Sequence, residues 1–383
     1  MLKKYKIAIL GGYGLGNFGD DALMYILYKK ISSIYKSEDI AFICTPEKYL
    51  SSIVDDSDII GFNKINTIQT DLLLYGGGTQ FYSFKPKKNI LAKILYYIKH
   101  PKDFSYRLFS KLAAMNIYNQ KNIQNRIAAI GIGVGPFLED ADQSIEQNTK
   151  KLFLKMDFVG VRDTYSYEKC KDWGVKDAKL YSDLCFLMDD EYAIENKRSV
   201  NTLKKIGIIV RDWDQTDEGA AYYEKIIPLC SELTLKGYEV NIIIFSLKRD
   251  LYWCNKLKTN TNVLFWNPNE DNIDTFLKLL DNFDLFITAR YHGAIFASLL
   301  EKPFIAIGVE QKLELISDLY QNGSEKWLYP FDLHQCLSYV QDIEKNYSSY
   351  QTGIRDETII QKKLARQMLK DFKDHFNLLK ETK

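Results

Sequence analysis

Few residues in this chain have types and spacing that suit chemistry, and the richest group is Thr288-Ala289-Arg290-Tyr291-His292-Gly293, directly after the apolar run Leu285–Ile287. If the chain stays extended through Tyr291, Arg290 and His292 point to one side. A helix that starts at about Gly293 then turns its unbonded N–H groups toward the same spot. A guanidinium, an imidazole and a helix N-terminus together suit a small dianion with an acid–base group beside it. Two more apolar runs end in Arg-Asp, namely Val159-Gly160-Val161-Arg162-Asp163 and Ile208-Ile209-Val210-Arg211-Asp212. The plain alternative is an ion-paired arginine and a packed histidine. Placement at a strand exit and the matching Arg162 favour the functional reading. His100, His334 and His375 stand in no comparable setting and are read as surface or packing residues.

Glycine marks three other strand ends. Gly11-Gly12-Tyr13-Gly14-Leu15-Gly16-Asn17-Phe18-Gly19-Asp20-Asp21 follows the first apolar run, and residues 14–19 satisfy G-x-G-x-x-G. A dinucleotide site also needs an acid at the exit of the second strand, but Glu38 and Asp39 precede that strand, and Asp20 and Asp21 open the helix where a pyrophosphate would lie. The loop is therefore read as a backbone floor for a sugar or phosphate, with Gly14 and Gly16 in the floor and Asn17 and Asp20 as polar contacts. Gly76-Gly77-Gly78 and Gly131-Ile132-Gly133-Val134-Gly135 repeat the pattern, and three such ends on one edge suggest backbone held close to a ligand.

Elements that position these loops follow from periodicity. Short apolar runs alternate with helix-length amphipathic segments, which argues for α/β architecture with parallel sheets and crossover helices. Strands are expected at Tyr5–Leu10, Ile40–Cys44, Asp71–Tyr75, Arg126–Gly131, Phe158–Val161 and Lys179–Tyr181, and again at Ile206–Val210, Val240–Phe245, Val263–Trp266, Leu285–Thr288 and Phe304–Ile307. The polar stretch 189–204 separates the two series, so domains are expected at 1–195 and 196–383, with a long terminal helix over 357–383. Two Rossmann-like domains facing a cleft are the expected fold class.

Composition narrows the function classes. With 51 Lys+Arg against 50 Asp+Glu the chain carries a formal charge of +1, which excludes a globally basic nucleic-acid binder. Six cysteines without C-x-x-C spacing and four histidines without H-E-x-x-H spacing disfavour a metal centre or a disulfide framework, and fit a cytoplasmic protein. No apolar run approaches the roughly 18 residues that span a bilayer.

Taken in order, G-x-G-N-x-G-D-D-A at 14–22, the triple glycine, G-x-G-x-G-P at 131–136, V-x-x-R-D, Ser182-Asp183, R-x-H-x-x-I-x-A at 290–297 and Lys302-Pro303-Phe304-Ile305-Ala306-Ile307 resemble the polysaccharide pyruvyl transferase family. The resemblance implies a GT-B-like pair of Rossmann-like domains. It also implies transfer of pyruvate from phosphoenolpyruvate (PEP) to a sugar of a cell-surface polysaccharide or its lipid-linked precursor, as a ketal bridging two hydroxyls. By position it assigns Arg162, Arg290 and Lys312 to PEP and His292 to acid–base catalysis, with PEP on the C-terminal side. Gly14, Gly16, Asn17, Asp20, Gly77, Gly78 and Asp183 fall to the acceptor or loop side. No cofactor and no metal are expected, PEP being a substrate. Leu184 and Tyr291 depart from the family pattern at D-P-x-F and within R-x-H. A GT-B glycosyltransferase that uses a nucleotide sugar and a non-catalytic glycan-binding protein are the competing readings. Residues 85–121 contain nine Lys/Arg interleaved with apolar residues and one acid, Asp103, and read as a surface for the inner leaflet of the plasma membrane or as a helix packed on the sheet.

Overall fold

The computed structural model of the protein describes residues 2–55, 57–84, 126–138, 141–190, 203–213, 216–257 and 262–378. The basic segment 85–121 and most of the expected linker lie outside these residues. The chain packs as two compact units. Unit 1 comprises Met1–Gly14, Leu23–Leu184 and Ala365–Lys383, and unit 2 comprises Leu15–Ala22 and Cys185–Leu364.

Among the described residues, unit 1 has seven strands: β1 (Lys3–Leu10), β2 (Ile40–Cys44), β3 (Asp58–Gly61), β4 (Ile68–Ser83), β5 (Arg126–Phe137), β6 (Phe158–Val161) and β7 (Ala178–Leu180). They run parallel in the order β3-β2-β1-β4-β5-β6-β7. Its helices include most of α1 (Phe18–Ser32), with α2 (Gln143–Phe153) and α3 (Thr164–Asp172). Unit 2 carries β8 (Lys205–Val210), β9 (Glu239–Ile244), β10 (Val263–Phe265), β11 (Leu285–Thr288), β12 (Phe304–Ile307) and β13 (Ser324–Trp327). These are also parallel, in the order β10-β9-β8-β11-β12-β13. The helices of unit 2 are α4 (Asp217–Ala221), α5 (Tyr223–Leu235), α6 (Leu251–Lys256), α7 (Ile273–Asp281), α8 (Tyr291–Leu299), α9 (Gln311–Leu319), α10 (Leu333–Lys345) and most of α11 (Tyr347–His375).

Each sheet is doubly wound, with strand order reversing between β1 and β4 in unit 1 and between β8 and β11 in unit 2. Such reversal points are where crossovers leave opposite faces of the sheet and open a crevice at the carboxyl ends. The sequence motifs sit there: the N-terminal glycine loop and the triple glycine follow or lie in β1 and β4, and Arg-Asp and R-x-H follow β8 and β11.

Several boundaries differ from the sequence expectation. Residues 15–22 belong to unit 2 because Phe18 is fully buried there, in ring contact with Phe245, Trp266, Phe276 and Phe296 at centroid distances of 4.6–5.2 Å. The last residues of α11 belong to unit 1. There the Met368 thioether lies 3.1 Å from the Gly131 amide, Phe372 packs edge-on to Phe158, and Tyr181 bonds Asp371 at 2.6 Å. Besides the crossing between Leu184 and Cys185, the chain is thus exchanged between the units at 15–22 and at 365–383. β3 and β13 are edge strands with polar residues such as Asp58, Glu325 and Lys326, so no apolar run announces them. The terminal helix starts at Tyr347, ten residues before the expected start, because its polar first turns are held by Ile354, which is fully buried.

β4 and β5 do not end at their glycines. They run on to Ser83 and Phe137, with register shifts between them and positive φ at Gly77 (69°) and Gly78 (75°). Glycine adopts that conformation without a Cβ clash, and the irregularity bends the strand while it keeps pairing. Gln80 pins the bend, its amide donating to Gly77 O at 2.9 Å and Leu10 O at 3.2 Å. Among the described residues no helix is long and apolar enough to cross a membrane.

Candidate active site

The centre of unit 2 is the guanidinium of Arg290, 7% exposed and the N-terminal cap residue of α8. Its Nη2 donates to both carboxylate oxygens of Asp250, one at 2.5 Å, and Asp250 is fully buried. Nε donates to Val210 O at 3.3 Å and Nη1 reaches Asn17 Oδ1 at 3.4 Å. The end of β8, the loop after β9, the exit of β11 and the residue that precedes α1 thus all contribute to one buried cation. The Asn17 amide in turn donates to Asp20 at 2.7 Å, and Arg249 stands 3.4 Å from the same Asp20 oxygen.

The local backbone differs from the extended form expected for R-x-H. Arg290 is extended (φ −125°, ψ 132°), but helix begins at Tyr291, not at Gly293. Thr288 is the cause. Its hydroxyl oxygen accepts from Arg290 N at 3.0 Å and donates to Arg290 O at 2.9 Å, so the turn closes two residues early. Arg290 and His292 consequently do not lie on one side of a strand. They meet the same short segment instead, since Arg290 contacts Asn17 while His292 packs on Gly19, where an added Cβ would stand 2.2 Å from the imidazole Nδ1. Gly19 is required there by close approach, not by backbone conformation.

Lys312 lies at the start of α9, its Nζ 3.1 Å from Glu310 Oε1, and Arg211 bonds the same oxygen. Burial opposes the Glu310 charge, but Arg211 and Lys312 outweigh it and hold the carboxyl below the usual range. The Arg211 guanidinium also covers the Trp213 ring at 4.3 Å.

Two residues of this centre carry no motif signal. Asp250 follows β9 by six residues, and nothing in Ser246-Leu247-Lys248-Arg249-Asp250 marks it as the partner of an arginine forty positions on. Asp212, noted only as the acid of a strand-exit Arg-Asp, receives the Tyr252 N–H at 2.8 Å, while its own N–H donates to Asp250 at 3.0 Å. Its Oδ1 is shielded from solvent and has no hydrogen-bond partner among the described residues. Burial pushes the Asp212 carboxyl up to about 6. The Asp250 charge adds to the rise, and the N–H groups of Tyr252 and Trp253 and the Arg290 charge pull against it.

In unit 1 the strand-exit arginine, Arg162, is 3% exposed. It donates to Asp183 Oδ2 at 2.6 Å and to Thr79 Oγ1 at 2.7 Å, so Arg162, Asp183 and the glycine-bent β4 form one network. The guanidinium lies flat on β5 at Gly133, where a Cβ would come within 3.0 Å of Nε. Gly77 and Gly78 belong to the same region through Thr79. Gly14 lies in unit 1, its α-carbon against Thr45 O, whereas Gly16, Asn17 and Asp20 lie in unit 2. Of the residues expected to act on PEP, Arg290, His292 and Lys312 share unit 2 and Arg162 is in unit 1.

Comparison with known proteins places this geometry. Residues 17–311, well over half of the chain, match the family model described as "Polysaccharide pyruvyl transferase". The match opens at Asn17 and closes one residue before Lys312. Among curated protein sequences none matches the chain. Among solved structures, the S. aureus MnaA–UDP co-structure is similar with a TM-score of 0.60 at 11% identity, covering 100% of this chain and 99% of that one. UDP-GlcNAc 2-epimerase from Neisseria meningitidis bound to UDP-GlcNAc gives 0.54 at 10% identity over 96% and 100% of the chains. Anabaena Alr3699/HepE in complex with UDP and glucose gives 0.53 at 10% identity over 97% and 99%. At such identities the likeness shows the fold alone: two parallel α/β sheets of the GT-B-like kind.

Two stability measurements check these pairings. Asp250→Ala leaves the Arg290 charge buried without its carboxylate, so urea unfolding is expected to show a loss of about 3–5 kcal/mol; a loss below about 1 kcal/mol would mean the pair is not compensating a buried charge. For Asp212 the folded pKa is raised, so its contribution is fully present below the unfolded value of about 3.9 and is lost as pH rises through about 6. Asp212→Asn removes that penalty. The difference variant minus wild type is expected to grow from near zero at about pH 4 to roughly 1–3 kcal/mol in favour of the variant at about pH 7, and a flat difference would contradict the assignment.

Proposed function

The chain belongs to the polysaccharide pyruvyl transferase family, and from that premise we propose that it transfers pyruvate from PEP to a saccharide or lipid-linked saccharide in the cytoplasm, forming a ketal. The observation that carries the proposal is the R-x-H motif at the reversal point of the unit 2 sheet, with Asn17 and Gly19 packed on its two functional residues.

PEP carries a phosphate and a carboxylate, and a guanidinium beside helix N–H groups suits either. Arg290 and Lys312 are the cations proposed to receive it in unit 2, each held in place by a buried acid, Asp250 and Glu310. Arg162, which the family resemblance also assigns to PEP, belongs to unit 1, where Asp183 and Thr79 hold it. The N-terminal glycines with Asn17 and Asp20 are proposed for contact with sugar or phosphate oxygens.

Chemically, His292 protonates the C3 methylene of PEP as the first sugar hydroxyl adds to C2, and the proton of that hydroxyl returns to the imidazole. The second hydroxyl then forms the other C2–O bond, the C2–O(phosphate) bond breaks, and its proton leaves with inorganic phosphate. An imidazole can both give and take such protons, and an acid–base group of this kind contributes about 10²–10⁴ in rate. Arginine gives the planar, two-pronged grip that a carboxylate or phosphate needs.

The test is to incubate the protein with PEP and candidate glycans and follow both phosphate release and a pyruvyl adduct by mass spectrometry. Release of phosphate from PEP with adduct formation is the expected result; release of a nucleoside diphosphate from an activated sugar instead would make the protein a glycosyltransferase, and neither activity would favour a glycan-binding role. His292→Ala is expected to leave PEP binding within a few-fold while turnover falls about 10²–10⁴-fold, and Arg290→Ala to weaken PEP binding. Near-normal turnover in the His292 variant would remove it from the mechanism.

A further inference from the structure

One buried guanidinium in unit 2 pairs with the Asp250 carboxylate, and a second carboxylate, Asp212, lies within electrostatic reach of both. Asp250 takes Arg290 through both its oxygens, and Asp212 stands behind Asp250, its amide bonded to Asp250 Oδ1 and its Oδ2 to the Tyr252 N–H. From this arrangement we infer that Asp212 is a positioning residue that couples anion binding at Arg290 to the uptake of one proton. The inference rests on the proposal that Arg290 receives an anionic donor.

Charge counting gives the reason. With Asp212 neutral, Arg290 and Asp250 cancel and the guanidinium can turn an N–H toward an incoming anion. With Asp212 ionised the cluster carries a net charge of −1 beneath the same guanidinium, and an arriving dianion meets repulsion in a setting where water screens poorly. Binding therefore favours the protonated carboxyl. Burial already pushes the Asp212 carboxyl up to about 6, and a bound anion adds a like charge that raises it further.

Other groups around Asp212 do not supply this coupling. Arg211, its chain neighbour, is committed to Glu310, and Arg249 in the β9 loop stands by Asp20. Tyr222, on the segment before α5, accepts from Arg211 N and is held well above its ordinary value by burial, so it stays neutral. The Cys254 thiol on α6 is pushed up to about 11 by burial and by the Asp250 and Asp212 charges. Among these groups Asp212 alone changes charge in the neutral range. Its Oδ1, without a partner among the described residues, is the atom available to take the proton.

Inorganic sulfate is the probe, because its own charge is constant across the range while that of PEP is not. Calorimetric titrations of the His292→Gln protein, which lacks the imidazole at R-x-H, are run from about pH 5 to about pH 8 in buffers of differing ionisation enthalpy. The expected result is an uptake of close to one proton at the upper end and a Kd that rises about tenfold per pH unit above about 6. Adding Asp212→Asn is expected to flatten both, with affinity at about pH 8 equal to or tighter than that of the parent. A Kd independent of pH with Asp212 present, a slope that survives Asp212→Asn, or no sulfate binding at any pH would each overturn the inference. Proton uptake is read with Asp212 intact, so a variant that fails to fold does not remove the test. The readout needs no pyruvyl transfer: absence of transfer with intact coupling would sink the assigned reaction and leave the coupling standing, and the reverse would sink the coupling alone.

Discussion

A guanidinium almost removed from water must find an anion, and the carboxyl edge of the unit 2 sheet is arranged around that requirement. Arg290 is delivered by β11, Asp250 by the loop after β9 and the Val210 carbonyl by the end of β8, with Asn17 brought in by the segment that leads into α1. An ion pair of this kind adds little net stability over a packed apolar substitute, because both charges lose their hydration. It does fix geometry. Losing either partner strands a charge, so β8, β9 and β11 are tied in one register at the point where strand order reverses.

The same logic appears in unit 1 with different parts. Arg162 is buried against Asp183 and Thr79, and the room for its planar head comes from the missing side chain of Gly133. Thr79 reaches Arg162 only because β4 continues past its bent glycines instead of turning away. The glycine runs therefore let strands carry side chains past the normal edge of the sheet, and two of them also admit a ring or a guanidinium at a distance no Cβ would allow. Phe18 is the apolar counterpart: its ring, seated among four others, anchors the short segment that presents Asn17 and Gly19.

How much of this could be read from the sequence follows from which interactions are local. Central strands such as Ile206–Val210 and Leu285–Thr288 are short apolar runs, buried on both faces, and they were legible as such. β3 and β13, half-exposed at sheet edges and carrying acids and lysines, were not. The types and spacing of Arg290 and His292 single them out, but not their local backbone, because the Thr288 hydroxyl closes the helix early and nothing in an apolar run announces that competition. Asp250 was invisible because its partner lies in another crossover. The exchanged segments 15–22 and 365–383 escaped notice for the same reason: a phenylalanine or a methionine states that it will be buried, and not in which unit. The pattern that did carry over was order. The N-terminal glycine loop, the triple glycine, the second Arg-Asp and R-x-H follow or lie in β1, β4, β8 and β11, the strands on either side of the two reversal points.

The central claim is that the donor binds in unit 2 beside His292. Nuclear magnetic resonance of the protein carrying isotopically labelled histidine tests it with one titration, since the chain has only four histidines, at 100, 292, 334 and 375. Addition of PEP is expected to move the His292 ring signals in a saturable way and leave those of His334 and His375 in place, with assignment by the His292→Gln protein. Saturable movement at another histidine with His292 unmoved, or no movement at saturating PEP, would contradict the account.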